Sequence, residues 1–255
     1  MIDLHCHLLP GVDDGPADIA ASLAMAALLA EHGYRSVCCT PHCICGAYDN
    51  TPPGVCAAVS ELQAALDRAG IPLRLVPGME YYLDEFFAGG AVDILPLGGS
   101  RLVLVEAPMQ GTGEAVHEGI NRVLRQRLIP LVAHPERCGF FLPQKPEGAW
   151  RRLQRRFAKG NDTPPPTGLE QWREMGCLFQ GNLGSFGGIY GTSAARRAGE
   201  LLSRGFYDCL ASDGHSADHL RACLQGPPPA EARRLMESPR IDEAGGFQPL
   251  RGSDW

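Results

Sequence analysis

The chain has 255 residues, 44% of them hydrophobic and 20% charged, with a formal net charge of -6. That length and balance fit one globular α/β domain with a large core and exclude a disordered chain. The acidic balance argues against general affinity for nucleic acid or an anionic membrane, but not against an anionic substrate, because bound cations reverse the local field.

In chain order, the apolar start at residues 1–4 reads as a strand, without the basic region and apolar core of a signal peptide. Residues 17–32, rich in Ala, Leu and Met, read as a helix stopped by Gly33. Residues 35–40 form the next strand and 56–69 a helix ending at Gly70. A short strand at 73–77 delivers Gly78-Met79-Glu80, and another at 101–105 delivers Glu106. A helix at 114–126 precedes a strand at 129–133 that runs into His134. A basic stretch at 150–156 reads as an amphipathic helix with a solvated or substrate-attracting face, and the run Pro164-Pro165-Pro166 as a loop. The strand 178–182, helix 193–203 and strand 208–211 continue the alternation. The tail 241–255 is expected to be ordered only by docking.

This βαβα alternation implies a mainly parallel sheet closed into a barrel, with an open doubly wound sheet as the alternative. No glycine-rich dinucleotide fingerprint or phosphate-binding loop supports the open form. A single domain over 1–240 is expected, interrupted by an Arg- and Pro-rich insertion near 139–168. No apolar run is long enough to cross a bilayer, so membrane insertion is not expected. The 10 cysteines are scattered, and with no export signal they read as reduced thiols in a cytoplasmic protein.

The chemistry sits at strand exits. His5 and His7 are two residues apart on a strand and project together, with Cys6 turned away. Asp13-Asp14 follows in a glycine-bounded turn and can reach the same rim. His42 follows Thr40-Pro41, His134 precedes Pro135, and Asp213 and His215 follow the strand at 208–211. Each motif alone is weak, because a lone HxH is often a core or surface pair and loop carboxylates usually form turns. Together with Glu80 and Glu106 they are hard to explain as packing, since buried carboxylates and imidazoles are costly unless paired or metal-bound. In a parallel barrel these ends meet on one face, so a cluster of divalent metals is expected.

The opening 1–15, His134-Pro135-Glu136-Arg137 and Ser212-Asp213-Gly214-His215 together resemble the polymerase-and-histidinol-phosphatase (PHP) superfamily. Within it the chain most resembles the bacterial manganese-dependent protein-tyrosine phosphatases of capsule and exopolysaccharide operons. The resemblance runs from residue 1 to about 221. It implies a distorted (β/α)7 TIM-like barrel, the PHP fold, holding up to three metals, with manganese favoured and iron or zinc compatible. Carried over by position, the ligands are His5, His7, Asp14, His42, Glu80, Glu106, His134, Asp213 and His215, with Asp14 rather than Asp13 and with Glu80 bridging. Arg137 aligns with a phosphate-holding arginine; the bland alternative is a salt bridge behind the metal ligands. Arg221 is a second candidate for phosphate contact, in an uncertain register. The stretch 139–168 departs from the family. Residues 184–188 fall in a family loop near the rim, or form a plain connection.

A metal-dependent phosphoesterase acting on phosphotyrosine is therefore expected. No cysteine has an arginine six positions on, so the C-x5-R phosphatase motif is absent and the nucleophile must be water activated by metal. The resemblance further implies a phosphotyrosyl protein as substrate and a tyrosine autokinase as partner. The rival readings are a PHP phosphatase for a small metabolite such as histidinol phosphate, a polymerase-linked nuclease, and a metal-bound regulatory module without catalysis.

Overall fold

The structure, a computed structural model, describes residues 1–108, 113–138, 168–225 and 229–237. Its strands are β1 (Ile2–Cys6), β2 (Ser36–Cys39), β3 (His42–Cys43), β4 (Arg74–Pro77), β5 (Glu80–Tyr82), β6 (Leu102–Glu106), β7 (Ile129–Ala133), β8 (Leu178–Asn182) and β9 (Cys209–Ala211). They form a three-stranded sheet, β1-β2-β4, and a six-stranded sheet, β3-β5-β6-β7-β8-β9. All pairings between them are parallel. This is the α/β class with parallel sheets that the alternation predicts.

The split between the sheets has a local cause. Pro41 has no N–H to donate and holds Thr40 extended, so the strand stops at Cys39 and resumes at His42. The neighbouring strand breaks opposite, between Pro77 and Glu80. Hydrogen bonds still cross the break, from the N–H of Gly78 to the carbonyl of Cys39 and from that of Glu80 to the carbonyl of Pro41, both at 3.0 Å. At Gly78 an added Cβ would lie 2.5 Å from Leu97 Cδ2, so a larger residue at this crossing would have to displace that buried leucine side chain.

β1 also touches β9. The N–H of Asp213 donates to the His5 carbonyl at 2.8 Å, and that of His7 to the Gly214 carbonyl at 2.9 Å. Lower down, the buried Asp3 carboxylate lies between the two segments. Its Oδ1 accepts from the N–H of Ser212 at 3.1 Å and of His5 at 3.3 Å. Asp3 thus ties β1 to the end of β9 through a side chain below the backbone bonds.

The helices cover these strands. α1 (Ile19–Glu31) begins where the Asp18 carboxylate caps the N–H of Ala21. α2 (Pro52–Ala69) begins earlier than the expected 56, because Thr51 caps it and prolines suit a first helical turn. Gly70, at φ +68°, ends it in the left-handed region. α3 (Glu85–Ala88), α4 (Gly113–Arg125), α5 (Gly168–Glu174), α6 (Leu183–Phe186), α7 (Gly191–Ser203), α8 (Ala217–Leu224) and α9 (Ala230–Glu237) follow. The large apolar core includes Met25, Leu29, Leu62, Val103, Val132 and Trp172 from helices and strands. A separate small cluster draws on six strands, with Leu4, Cys38, Val76, Leu104, Leu131 and Cys209 among its members.

No helix among the described residues is long and apolar enough to cross a membrane. The expected helix at 150–156 and the tail 241–255 lie outside the described residues, as does the 139–168 insertion apart from Gly168.

Candidate metal centre

The candidate ligands converge where strands end or are interrupted. His5 lies on β1 with His7 just beyond it, while Cys6 between them is buried in the main apolar core. Glu80 opens β5, Glu106 closes β6, and His42 opens β3. His134 follows β7 at φ +29°, and Asp213 follows β9 at φ +51°. Both are non-glycine residues with left-handed backbone, a conformation costing on the order of 1–3 kcal/mol and concentrated at functional sites.

Three overlapping groups result: His5, His7, Glu80 and Asp213; His7, Asp14, His42 and His215; and His42, Glu80 and Glu106. In the first, His5 Nε2 lies 3.2 Å from Glu80 Oε2, 3.1 Å from Asp213 Oδ1 and 3.2 Å from His7 Nε2. In the second, Asp14 Oδ1 lies 3.4 Å from His215 Nε2 and 3.6 Å from His42 Nε2. In the third, His42 Nδ1 lies 3.1 Å from Glu80 Oε2. His134 joins it, with Nε2 3.2 Å from Glu80 Oε1 and 3.8 Å from Glu106 Oε1. Glu80 faces every group except the second. Arg137 also reaches the cluster. Arg221 does not: it lies on the exposed face of α8, its Nη1 2.6 Å from Asp218 Oδ1.

Two observations fit this donor set to divalent cations. Glu80 Oε2 and His42 Nδ1 are buried and close, yet neither has an aligned hydrogen-bond partner among the described residues. Ligand atoms this close without an aligned hydrogen bond suit a cation between them. Secondly, several imidazoles are held so that Nε2 faces inward. His5 Nδ1 lies 3.0 Å from Gln180 Oε1, His7 Nδ1 2.7 Å from Asp13 Oδ2, and His215 Nδ1 2.8 Å from the Asp213 carbonyl. Each acceptor takes the Nδ1 hydrogen and leaves the Nε2 lone pair for the cluster.

The electrostatics point the same way. Burial opposes a charge on His5, but Glu80 and Asp213 outweigh it and lift its pKa to about 9. Burial likewise opposes ionised Glu80 and Asp213, yet facing histidines hold both well below the usual carboxylate range. Burial, then repulsion from Glu80, raises Glu106. Burial and the facing His7 push His215 down to about 4. Carboxylates this deep stay ionised only against positive charge, which protons and cations can both supply.

Other residues complete the site that sequence reasoning did not single out. Asp13, the weaker candidate of its pair, holds His7 and accepts from the N–H of His42 at 3.0 Å, while Asp14 faces the cluster. Asn182 Nδ2 donates to Asp213 Oδ2 at 2.7 Å, and Gln180 Nε2 to Asn182 Oδ1 at 2.9 Å. Glu136 is not among the candidate ligands and anchors the rim, accepting from the N–H of Asn182, Ser185 Oγ and Tyr207 Oη. Ser185 belongs to α6, so the 184–188 stretch is in part a helix packed at this rim. Gln180 and Asn182 had a usable signal: two polar residues two apart at a strand exit share one face. Tyr190 and His219 had none in a single sequence.

Arg137 pairs through Nη1 with Asp213 Oδ2, and its Cζ stacks 4.0 Å over the Tyr190 ring. A small opening beside it is lined by Glu106, Ala107, His134, Arg137 and Cys138. The larger cavity lined by Met1, Tyr34, Phe186, Cys223 and Met236 contains none of the candidate ligands.

Comparison with known proteins agrees with this geometry. The family profile for capsular polysaccharide synthesis, CpsB/CapC, matches residues 1–144. The chain is 30% identical over 218 residues to the tyrosine-protein phosphatase YwqE of Bacillus subtilis (strain 168), covering 85% of this chain and 78% of that one. It is 28% identical over 220 residues to the tyrosine-protein phosphatase CpsB of Streptococcus pneumoniae, covering 86% and 84%. A crystal structure from work on YwqE and CpsB, described as unique metal-dependent tyrosine phosphatases, matches with a TM-score of 0.70 at 26% identity, over 94% of this chain and 93% of that one. The strand-exit motifs, the parallel fold that gathers them and these likenesses agree, and the chain belongs to the CpsB/CapC capsular polysaccharide synthesis family.

Proposed function

We propose that this chain is a metal-dependent protein-tyrosine phosphatase working in capsule or exopolysaccharide regulation. The observation that carries the proposal is the convergence of His, Asp and Glu side chains around Glu80, whose buried Oε2 lies within 3.3 Å of His5, His7 and His42 without an aligned hydrogen bond among the described residues. Because each neutral imidazole has one lone pair to give, His5, His7, Glu80 and Asp213 would hold one ion, Asp14, His42 and His215 a second, and Glu80, Glu106 and His134 a third. Manganese is the favoured metal, and mixed imidazole and carboxylate ligands also suit iron or zinc. Bound divalent ions would supply Lewis acidity and an activated water at neutral pH.

The chain's own residues do the remaining work. Gln180 and Asp13 fix the imidazoles of His5 and His7. Arg137 stands at the rim with a planar fork that matches phosphate oxygens. Arg221 would join it only if α8 presented it differently, so Arg137 is the principal phosphate contact. Phenolate is a good leaving group, so no side chain has to protonate it.

Several wider readings accompany this function. The bonds between β1 and β9, and those crossing the breaks between β2 and β3 and between β4 and β5, support a distorted (β/α)7 barrel in a single domain over 1–240. The substrate is a phosphotyrosyl protein, with a cognate bacterial tyrosine autokinase as partner, in the cytoplasm. The names of the relatives, tyrosine-protein phosphatases, support the phosphotyrosyl substrate.

The test strips the protein with chelator, reloads manganese, iron or zinc, and assays phosphotyrosyl peptide, histidinol phosphate and DNA in parallel. Metal-restored hydrolysis of the phosphotyrosyl peptide is expected. Hydrolysis confined to histidinol phosphate, or none by protein shown to carry metal by elemental analysis, overturns the reading.

A further inference from the structure

Arg137 stands beside the cluster, and it is held from two directions. In its plane it pairs with Asp213 Oδ2. Across its face it stacks on Tyr190, 4.0 Å from Cζ to the ring centroid. These contacts differ in what they leave free. Stacking occupies the face of a guanidinium and leaves its in-plane N–H groups available. The Asp213 contact uses an in-plane donor, the same kind a phosphate needs. Asp213 Oδ2 also accepts from Asn182 Nδ2 at 2.7 Å, so it keeps a partner if Arg137 turns to an anion.

Tyr190 is itself pinned. Its hydroxyl lies 2.9 Å from His219 Nε2. The N–H of His215 donates to His219 Nδ1 at 3.3 Å. An Nδ1 that accepts carries no hydrogen, so in a neutral ring the hydrogen is on Nε2, which then donates to the Tyr190 oxygen. The ring is further fixed by its position just before α7, where the N–H of Ile189 donates to the Gly184 carbonyl at 3.1 Å. A residue tied through His219 to a candidate ligand, and stacked on the arginine beside it, can set that arginine's orientation over the cluster.

We propose that Tyr190 is a positioning residue whose ring holds the Arg137 guanidinium face-on, so that its N–H edge can pass from Asp213 to the phosphate of the substrate. This rests on the phosphatase reading above. A guanidinium already oriented loses less freedom on binding the anion, so the effect should appear as phosphate affinity.

The experiment uses full-length, metal-loaded protein, with inorganic phosphate as the probe in calorimetry and elemental analysis of every variant. Tyr190→Leu should weaken phosphate binding roughly 5- to 10-fold at unchanged metal content, the scale of a lost cation–π contact at a half-buried site. Tyr190→Phe, which keeps the ring, should lose much less. In an Arg137→Ala background Tyr190→Leu should cost nothing further. Additive losses in the double variant, equal losses in Tyr190→Phe and Tyr190→Leu, metal loss in Tyr190→Leu, or unchanged affinity each overturn the inference. Phosphate binding by wild type without hydrolysis of any phosphotyrosyl peptide would sink the phosphatase reading, while the coupling between Tyr190 and Arg137 is still read. Absence of phosphate binding by the loaded wild type overturns both.

Discussion

Adjacent residues in the Asp13-Asp14 turn have opposite duties. Asp13 is turned inward onto His7 Nδ1 and the His42 N–H, whereas Asp14 keeps a half-exposed carboxylate facing His42 and His215. Removing an oriented acceptor behind a metal-binding imidazole typically costs 10- to 100-fold in affinity. Asp13→Asn should therefore lower metal affinity by about 10-fold or more while the protein stays folded, measured by metal titration alongside circular dichroism. An unchanged affinity would show that the His7 tautomer needs no carboxylate. His5→Ala, Glu80→Ala and Asp213→Ala should each cut turnover by about 100-fold or more, because each removes a candidate ligand. Cys6→Ser, which changes a side chain on the opposite face, should be far milder. Inactivation by Cys6→Ser in a folded protein, with His5→Ala active, would reverse the assigned facing of β1. The HxH face was readable from the period of a strand, whereas the choice of Asp14 over Asp13 came only from the family resemblance, because it depends on turn geometry that residue types alone do not show.

At the scale of elements, the ligands arrive on strand ends whose exits are tightly packed. Gly15 shows how little room the first loop has. A Cβ there would lie 2.6 Å from the His7 carbonyl oxygen and 2.9 Å from Asp13 Oδ1. The carbonyl is backbone and cannot swing aside, so Gly15→Ala should displace the Asp13-Asp14 turn and cost about 1–3 kcal/mol. The control is Gly199→Ala on α7, where an added Cβ meets nothing within 4 Å. That change should stabilise by about 0.5–1 kcal/mol through helix propensity. Denaturant unfolding of both variants checks the pair, and equal stabilities would mean the loop is not under the constraint described. The long periodic elements, such as α1 and β7, were legible in sequence because apolar spacing and caps mark them. The short ones were not: β3, β5, α3 and α6 are too brief for periodicity, and their existence depends on neighbours. Thr51 with its following prolines did mark the start of α2, but it is read only when the cap is weighed above the apolar pattern.

For the whole molecule, folding brings carboxylates and imidazoles from both ends of the sequence into one buried cluster. His5 and Asp213 are 3.1 Å apart although one lies near the start of the chain and the other beyond residue 200. The alternation of strands and helices made the parallel architecture legible, but the interruptions after Cys39 and Pro77 and the Asp3 wedge between β1 and β9 were not, because they are settled by contacts between distant segments. Such a cluster links stability to metal. Any ion that binds the folded chain and not the unfolded one stabilises it by RT ln(1 + [L]/Kd), about 2.7 kcal/mol at 100 times Kd. For a chain of this size, each kcal/mol corresponds to about 2–4 °C in Tm. Reloading manganese at that excess should thus raise Tm by roughly 5–10 °C over chelated protein, as measured by calorimetry, with activity returning in the same titration. Glu80→Ala should abolish most of the shift, because Glu80 faces two of the three groups. A chelated protein with the same Tm and full phosphatase activity, shown to be metal-free by elemental analysis, would remove the metal centre from both the fold and the reaction.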